Sequence, residues 1–143
     1  MGRVTRFEVD LGLALKMCAA ATSAAAANGI LVSVAIVDAG GHLVAFQRMD
    51  GAEIAGPVLA PDKARTSVAH RVATHELAEA VAPGGDLVGM NSADGGRYIA
   101  FSGGMPMWDG DRVIGGVGVS GGTGAQDLAC AQAAIAAFVE AYA

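Results

Sequence analysis

Nine glycines fall within the 26 residues from 102 to 127. Glycine loses more backbone entropy on ordering than any other residue, so an ordinary core segment does not collect it. A chain that gathers so many in one stretch needs bare backbone there, either for a tightly packed neighbour or for a ligand. The stretch reads as a strand at 105–108, a turn at Asp109-Gly110-Asp111, a glycine-rich strand at 113–120 and a loop at Gly121-Gly122. A helix then runs over 125–141.

The rest of the chain supplies the partners for that hairpin. Leu11, Ala14, Leu15, Cys18, Ala21 and Ala25 recur at helical spacing, and Asn28-Gly29 is a stop, so the first helix is predicted at 9–28. Strands follow at 33–38 and 42–48, joined by Ala39-Gly40-Gly41. A second helix is predicted at 60–82, with Pro61 near its first turn and Pro83, Gly84 and Gly85 past its end. Residues 84–96 read as loop and 98–102 as a further strand. The order α-β-β-α-β-β-β-α does not alternate as a doubly wound parallel sheet does. It predicts a single α/β (α+β) domain over 1–143, with a mainly antiparallel five-stranded sheet covered by helices.

Composition bounds the partners. The chain is 53% hydrophobic and only 16% charged, an oily balance that predicts a surface buried in a homo-oligomer. Its formal charge of −5 and scattered Lys and Arg argue against nucleic acid. Cys18 and Cys130 sit in alanine-rich helical stretches and read as buried small hydrophobes. Residues 11–27 could pass for a secretory h-region, but Lys16 interrupts them and Glu8 and Asp10 precede them. The reading is a helix of a cytoplasmic protein with no membrane partner, since no stretch approaches the ~18 uninterrupted apolar residues of a span.

Gly116–Gly121 formally satisfies G-x-G-x-x-G. The dinucleotide reading fails, because only 22 residues follow Gly121 and they make one helix with no ribose-binding strand end. Two readings stay open. In one, the alternate positions Ile114, Gly116, Gly118 and Ser120 line a strand face and let a helix or a second subunit pack closely. In the other, Ser120–Thr123 presents amides at a helix start, a nest for carboxylate or phosphate. Thr123 and Gln126 also have capping-box spacing.

Five blocks in order resemble one family: residues 34–50 (VAIVDAGGHLVAFQRMD), 63–66 (KART), 103–106 (GGMP), 114–121 (IGGVGVSG) and 126–127 (QD). They are similar to the GlcG/HbpS family, also called the haem-degrading-domain family, to which the C-terminal domain of PduO-type cobalamin adenosyltransferases is related. The resemblance implies a profilin-like fold and assembly from dimers up to octamers. For some members it implies haem as cofactor; others sit beside glycolate or aromatic catabolism. It therefore speaks to fold more firmly than to function. The haem-binding PduO-type domains carry a histidine in the first helix. This chain has none there, which removes the expected axial ligand.

No metal centre is predicted from the remaining histidines. His42 follows a turn and reads as exposed. His70 and His75, five apart, point about 140° from each other on a helix. His75 and Glu79 read as a solvated i, i+4 pair, and Met105 and Met107 as core filling around Pro106.

The polar residues inside the resembling blocks make a better candidate site. Arg48 ends a strand and Asp50 lies in the loop after it. Lys63 and Thr66 sit one turn apart on the second helix. Gly103, Gly104 and Pro106 open the glycine hairpin, Ser120 and Gly121 close it, and Asp127 starts the last helix. In this reading Arg48, Lys63 and the amides around Gly121 attract a small carboxylate or a haem propionate, and Asp127 and Lys63 are the catalytic candidates, Asp127 as general base. Plainer roles exist for both: Lys63 as a surface charge over an apolar stem, Asp127 as a complement to the helix dipole. No His–Asp relay is spaced to serve the Ser120 hydroxyl.

Three functions follow. The first is an oligomeric binding protein for haem or a similar anionic small molecule. The second is a cofactor-independent enzyme performing proton transfer or hydrolysis on a small carboxylate. The third is a ligand-free structural or sensory subunit.

Overall fold

The computed structural model describes residues 2–142. Helix α1 spans Leu11–Ala27, begun by Asp10, whose carboxylate accepts from the Leu13 amide at 2.8 Å. Asn28 ends it, its side-chain amide donating to the Ala24 carbonyl at 2.8 Å. Strands β1 (Ser33–Asp38) and β2 (Leu43–Arg48) form the first hairpin. Its turn is held by Asp38, whose carboxylate accepts from the amides of Gly40 and His42, both at 2.9 Å. Helix α2 covers Gly56–His70, and a short α3 covers Ala78–Val81 after one 3-10 turn. Strands β3 (Gly104–Asp109) and β4 (Arg112–Ser120) make the second hairpin, and α4 (Gly124–Tyr142) closes the chain. Between β3 and β4 the two-residue loop opens on Gly110 at φ 62°, a conformation that favours glycine.

The sheet has four strands in the order β2-β1-β4-β3, every pair antiparallel. The fifth strand predicted at 98–102 does not form. Side chains hold that segment instead of a ladder: the Ile99 amide donates to Thr66 Oγ1 at 2.9 Å, and Thr74 Oγ1 donates to the Phe101 carbonyl at 2.6 Å. The second predicted helix is also corrected. It starts earlier, at Gly56 with Pro57 in the first turn, and stops at Arg71, whose left-handed backbone (φ 56°) turns the chain away. His75 and Glu79 therefore fall in two different short elements, not on one continuous helix face.

Strand alternation sorts the sheet into two unlike faces. Val34, Ile36, Val117 and Val119 join Met17, Cys18, Ala21, Ala131, Ala134 and Phe138 in the core beneath the α1–α4 layer. Burying one such side chain contributes about 1.5–3 kcal/mol. Both cysteines are free and buried there, and burial pushes the Cys18 thiol up to about 11. The other face carries Ser33, Ala35, Gly116, Gly118 and Ser120 and is covered mainly by α2, with Thr74 packing on its β3 edge. It is nearly flat, so α2 lies close: a Cβ on Gly118 would meet the Ala64 amide nitrogen at 2.6 Å, and one on Gly116 would meet Ser67 Oγ at 2.7 Å. Among the described residues no helix is long and apolar enough to cross a membrane.

Candidate functional site

Because α2 rests directly on the sheet, a residue on its inner face has nowhere to go but inward. Lys63 occupies such a position, its side chain 1% exposed. A lone ammonium there would cost several kcal/mol, so the fold must supply partners. Nζ donates to the Val119 carbonyl at 2.9 Å and to Asp127 Oδ2 at 3.0 Å. The Phe101 ring lies over it, with the centroid 5.1 Å from Nζ. Burial pushes the Lys63 ammonium below its ordinary 10.5, while the charge and hydrogen bond of Asp127 and the more distant charge of Glu53 push it back up.

Asp127 stands in the first turn of α4, its side chain 5% exposed. Its second oxygen accepts from the Gly122 amide at 2.8 Å. Thr123 and Gln126 complete the predicted capping box: the Thr123 amide donates to Gln126 Oε1 at 2.9 Å, and the Gln126 amide to Thr123 Oγ1 at 3.3 Å. The anion that the glycine loop and Lys63 were expected to attract is thus supplied by the protein's own Asp127. Gly103, at φ 126°, makes room for the lysine, since a Cβ there would lie 2.9 Å from Nζ. A Cβ on Gly104 would meet Thr74 Cγ2 at 2.5 Å, and one on Gly121 the Val32 Cα at 2.9 Å. At these positions the bare backbone serves close packing.

Lys63, Asp127, Gly103, Gly104 and the turn after Ser120 therefore meet. Other candidates do not. Arg48 is exposed at the end of edge strand β2, opposite Ser33, with all of β1 between it and Ser120. Asp50 is exposed in the loop beyond. Thr66 is buried, but its hydroxyl donates to the Asp62 carbonyl at 2.7 Å and receives Ile99, acting as a staple for the 97–103 segment. Pro106 lies in edge strand β3 opposite Gly116, where its missing amide breaks no interior ladder.

Sequence reasoning missed Phe101, Thr74 and Ser33. Thr74 links two segments, donating to Phe101 and accepting from the Gly104 amide at 3.0 Å; the sequence reading placed it inside a continuous helix, so no local signal marked it. Ser33 Oγ, facing Gly56, is buried without a hydrogen-bond partner. An unmet buried hydroxyl costs about 1–3 kcal/mol. Ser33→Ala is accordingly expected to leave the urea midpoint unchanged or raise it; a loss above about 1 kcal/mol would show that the hydroxyl is bonded after all.

Two surface depressions bear on ligands. One, of about 540 Å³, lies above the Gly121 turn between Ile30, Ala52 and Thr123, and its one charged lining residue is Glu53. The other, of about 330 Å³, lies between the β3–β4 turn and the end of α4, with Trp108, Phe138, Val139 and Tyr142 for walls and Asp109 as its one charged lining residue. A haem needs an apolar wall and an axial His, Met, Cys or Tyr. His42 is exposed beside Asp38 at 3.2 Å, and His70 is engaged with the Thr66 carbonyl and, edge-on, with the Tyr98 ring. Met17, Met107, Cys18 and Cys130 are sealed in the interior. Tyr142, in the aromatic depression, joins a ligating atom to an apolar wall, so these residues fit the group.

A four-stranded antiparallel sheet between one helix and a helix pair, with a sealed lysine–aspartate pair at the strand ends, places the molecule among small α+β sandwich proteins. Residues 9–136 match the model of the family described as haem degrading protein HbpS-like. The chain belongs to the HbpS-like family.

It is 46% identical over 106 residues to the corrinoid adenosyltransferase PduO of Salmonella typhimurium, covering 74% of this chain and 32% of that protein. It thus spans about a third of that relative's length. The Klebsiella pneumoniae protein ORFY superposes with a TM-score of 0.93 at 36% identity, covering 97% of both chains. A PduOC:heme complex superposes with a TM-score of 0.88 at 40% identity, covering 91% of this chain and 94% of the other.

Proposed function

We propose that this protein is an oligomeric binding protein for haem or a comparable planar, anionic small molecule. The observation that carries the reading is the likeness to PduOC, solved as a haem complex, at 40% identity and a TM-score of 0.88. On this chain the aromatic depression suits the ring of such a ligand, its anionic groups having to point away from Asp109: Trp108 and Val139 would wall a macrocycle and Tyr142 would offer its phenol oxygen. Bound haem would supply iron chemistry; the chain's part is to hold the ring and exclude water from one face. Self-association is favoured by apolar side chains left exposed on α1, Leu11 and Leu15.

The catalytic alternative has less support. Lys63 and Asp127 carry the right chemistry for proton transfer, yet both are sealed and already bonded to each other.

Haemin titration followed at the Soret band is expected to saturate at one equivalent per chain. Trp108→Ala and Tyr142→Phe are each expected to weaken binding by about tenfold, the loss of roughly 1.4 kcal/mol of contact. A spectrum that never saturates is adsorption to an oily surface and overturns the binding reading. Saturation untouched by both substitutions overturns the aromatic depression as its place.

A further inference from the structure

The segment that precedes α1 passes close to the end of α2 and to the β3–β4 turn, and the depression between them, about 370 Å³, is lined by Arg6, Arg71 and Arg112. This concentration is unexpected in a chain with 9 Lys and Arg against 14 Asp and Glu. Among the described residues, ion pairs occupy Lys63, Arg65, Arg97 and Arg112, while Arg6 and Arg71 form none, although Asp111 shares their depression. Arg112 is held in place, its Cζ 4.2 Å from the Phe7 ring centroid and its Nη2 3.3 Å from Asp109.

Arg71 adds a second observation. It ends α2 in the left-handed region at φ 56°, where glycine would sit without strain. Its side chain therefore occupies this corner against the preference of its backbone. Opposing charge is present: Asp111 lines the depression, Asp109 partly neutralises Arg112, and the C-terminal end of α2 carries about half a negative charge. Two guanidinium groups remain uncommitted, with the Thr5 hydroxyl also on the lining.

We propose that this depression is a binding site for a compact polyanion, a phosphoryl group or clustered carboxylates gripped by the planar forks of Arg6, Arg71 and Arg112. The site is separate from the aromatic depression and does not rest on the haem reading.

The test is calorimetric titration of the full chain with inorganic pyrophosphate, and in a parallel arm with citrate, at low ionic strength. Wild type is expected to bind one of them saturably, one per chain, and the preferred anion tells phosphoryl from carboxylate. Arg6→Ala and Arg71→Gly are each expected to weaken binding by about tenfold or more. Arg71→Gly removes the charge and relieves the backbone together, so its thermal midpoint should hold or rise, which separates lost binding from lost folding. Lys16→Ala, an exposed cation elsewhere, should bind as wild type does. Absence of saturable binding of both anions, unchanged affinity in Arg6→Ala and Arg71→Gly, or an equal loss in Lys16→Ala would each overturn the proposal.

Discussion

Gly118→Val is expected to leave little folded protein, and Gly118→Ala to cost about 3 kcal/mol or more, at the upper end for overpacking. The backbone of Gly118 is extended, so the cost is purely steric. A new Cβ would press on the Ala60 carbonyl and lie 2.6 Å from the Ala64 amide nitrogen. Both are helix backbone, which no rotamer change can move aside. Helix α2 would have to lift from β4, and Lys63, on the same helix, would lose its place beside Asp127. Urea denaturation should show a large fall in midpoint with little change in slope for Gly118→Ala. Gly110→Ala is the comparison: its site at φ 62° is open, so only backbone strain of about 1 kcal/mol is expected. Equal effects at the two positions would refute the packing account of the glycine strand.

Asp127→Ala is expected to cost about 3–5 kcal/mol, because it strands the Lys63 ammonium and also uncaps the Gly122 amide. Replacing both partners, as Lys63→Met with Asp127→Leu, should recover about 1–3 kcal/mol relative to Asp127→Ala, since an apolar pair needs no counter-charge. If the losses of Lys63→Met and Asp127→Leu, each made alone, simply add in the double, the pair is not coupled and the site is misread.

The pH dependence has a definite sign. Burial lowers the Lys63 pKa, so the unfolded chain binds the extra proton between the lowered value and 10.5. The cost of keeping Lys63 charged is carried in full below that window and relieved across it. Wild-type stability, measured against Lys63→Met as baseline, should therefore rise as pH climbs toward 10.5. In Asp127→Ala the window should open at lower pH, because Asp127 no longer favours the charged form.

Turn chemistry and periodicity are local, and what they govern was legible. The Asn28 end of α1, both hairpins and the Thr123–Gln126 capping box follow from residues within a few positions of one another. The segment 98–102 misled, because an apolar stretch bounded by polar residues reads as a strand whether or not a neighbour offers a ladder. Here the neighbours are the hydroxyls of Thr66 and Thr74, from positions 33 and 27 residues away in their respective bonds. The extra turn at the start of α2 was hidden by Pro61, which reads as a first-turn residue although Pro57 already fills that role.

By itself, the sequence determined an antiparallel α+β protein with a glycine-bare strand, and the blocks that tie it to its family. Only the tertiary structure decided what the bare strand is for. Lys63 and Asp127 are 64 residues apart, and no spacing rule says that one will neutralise the other. Seating α2 on Gly116 and Gly118 brings the lysine inside, where low dielectric demands a partner. The first turn of α4, bent back over the strand ends, provides it. Arg48 stayed outside for the same reason in reverse, since an edge strand gives its cation water and nothing requires it to converge on the others.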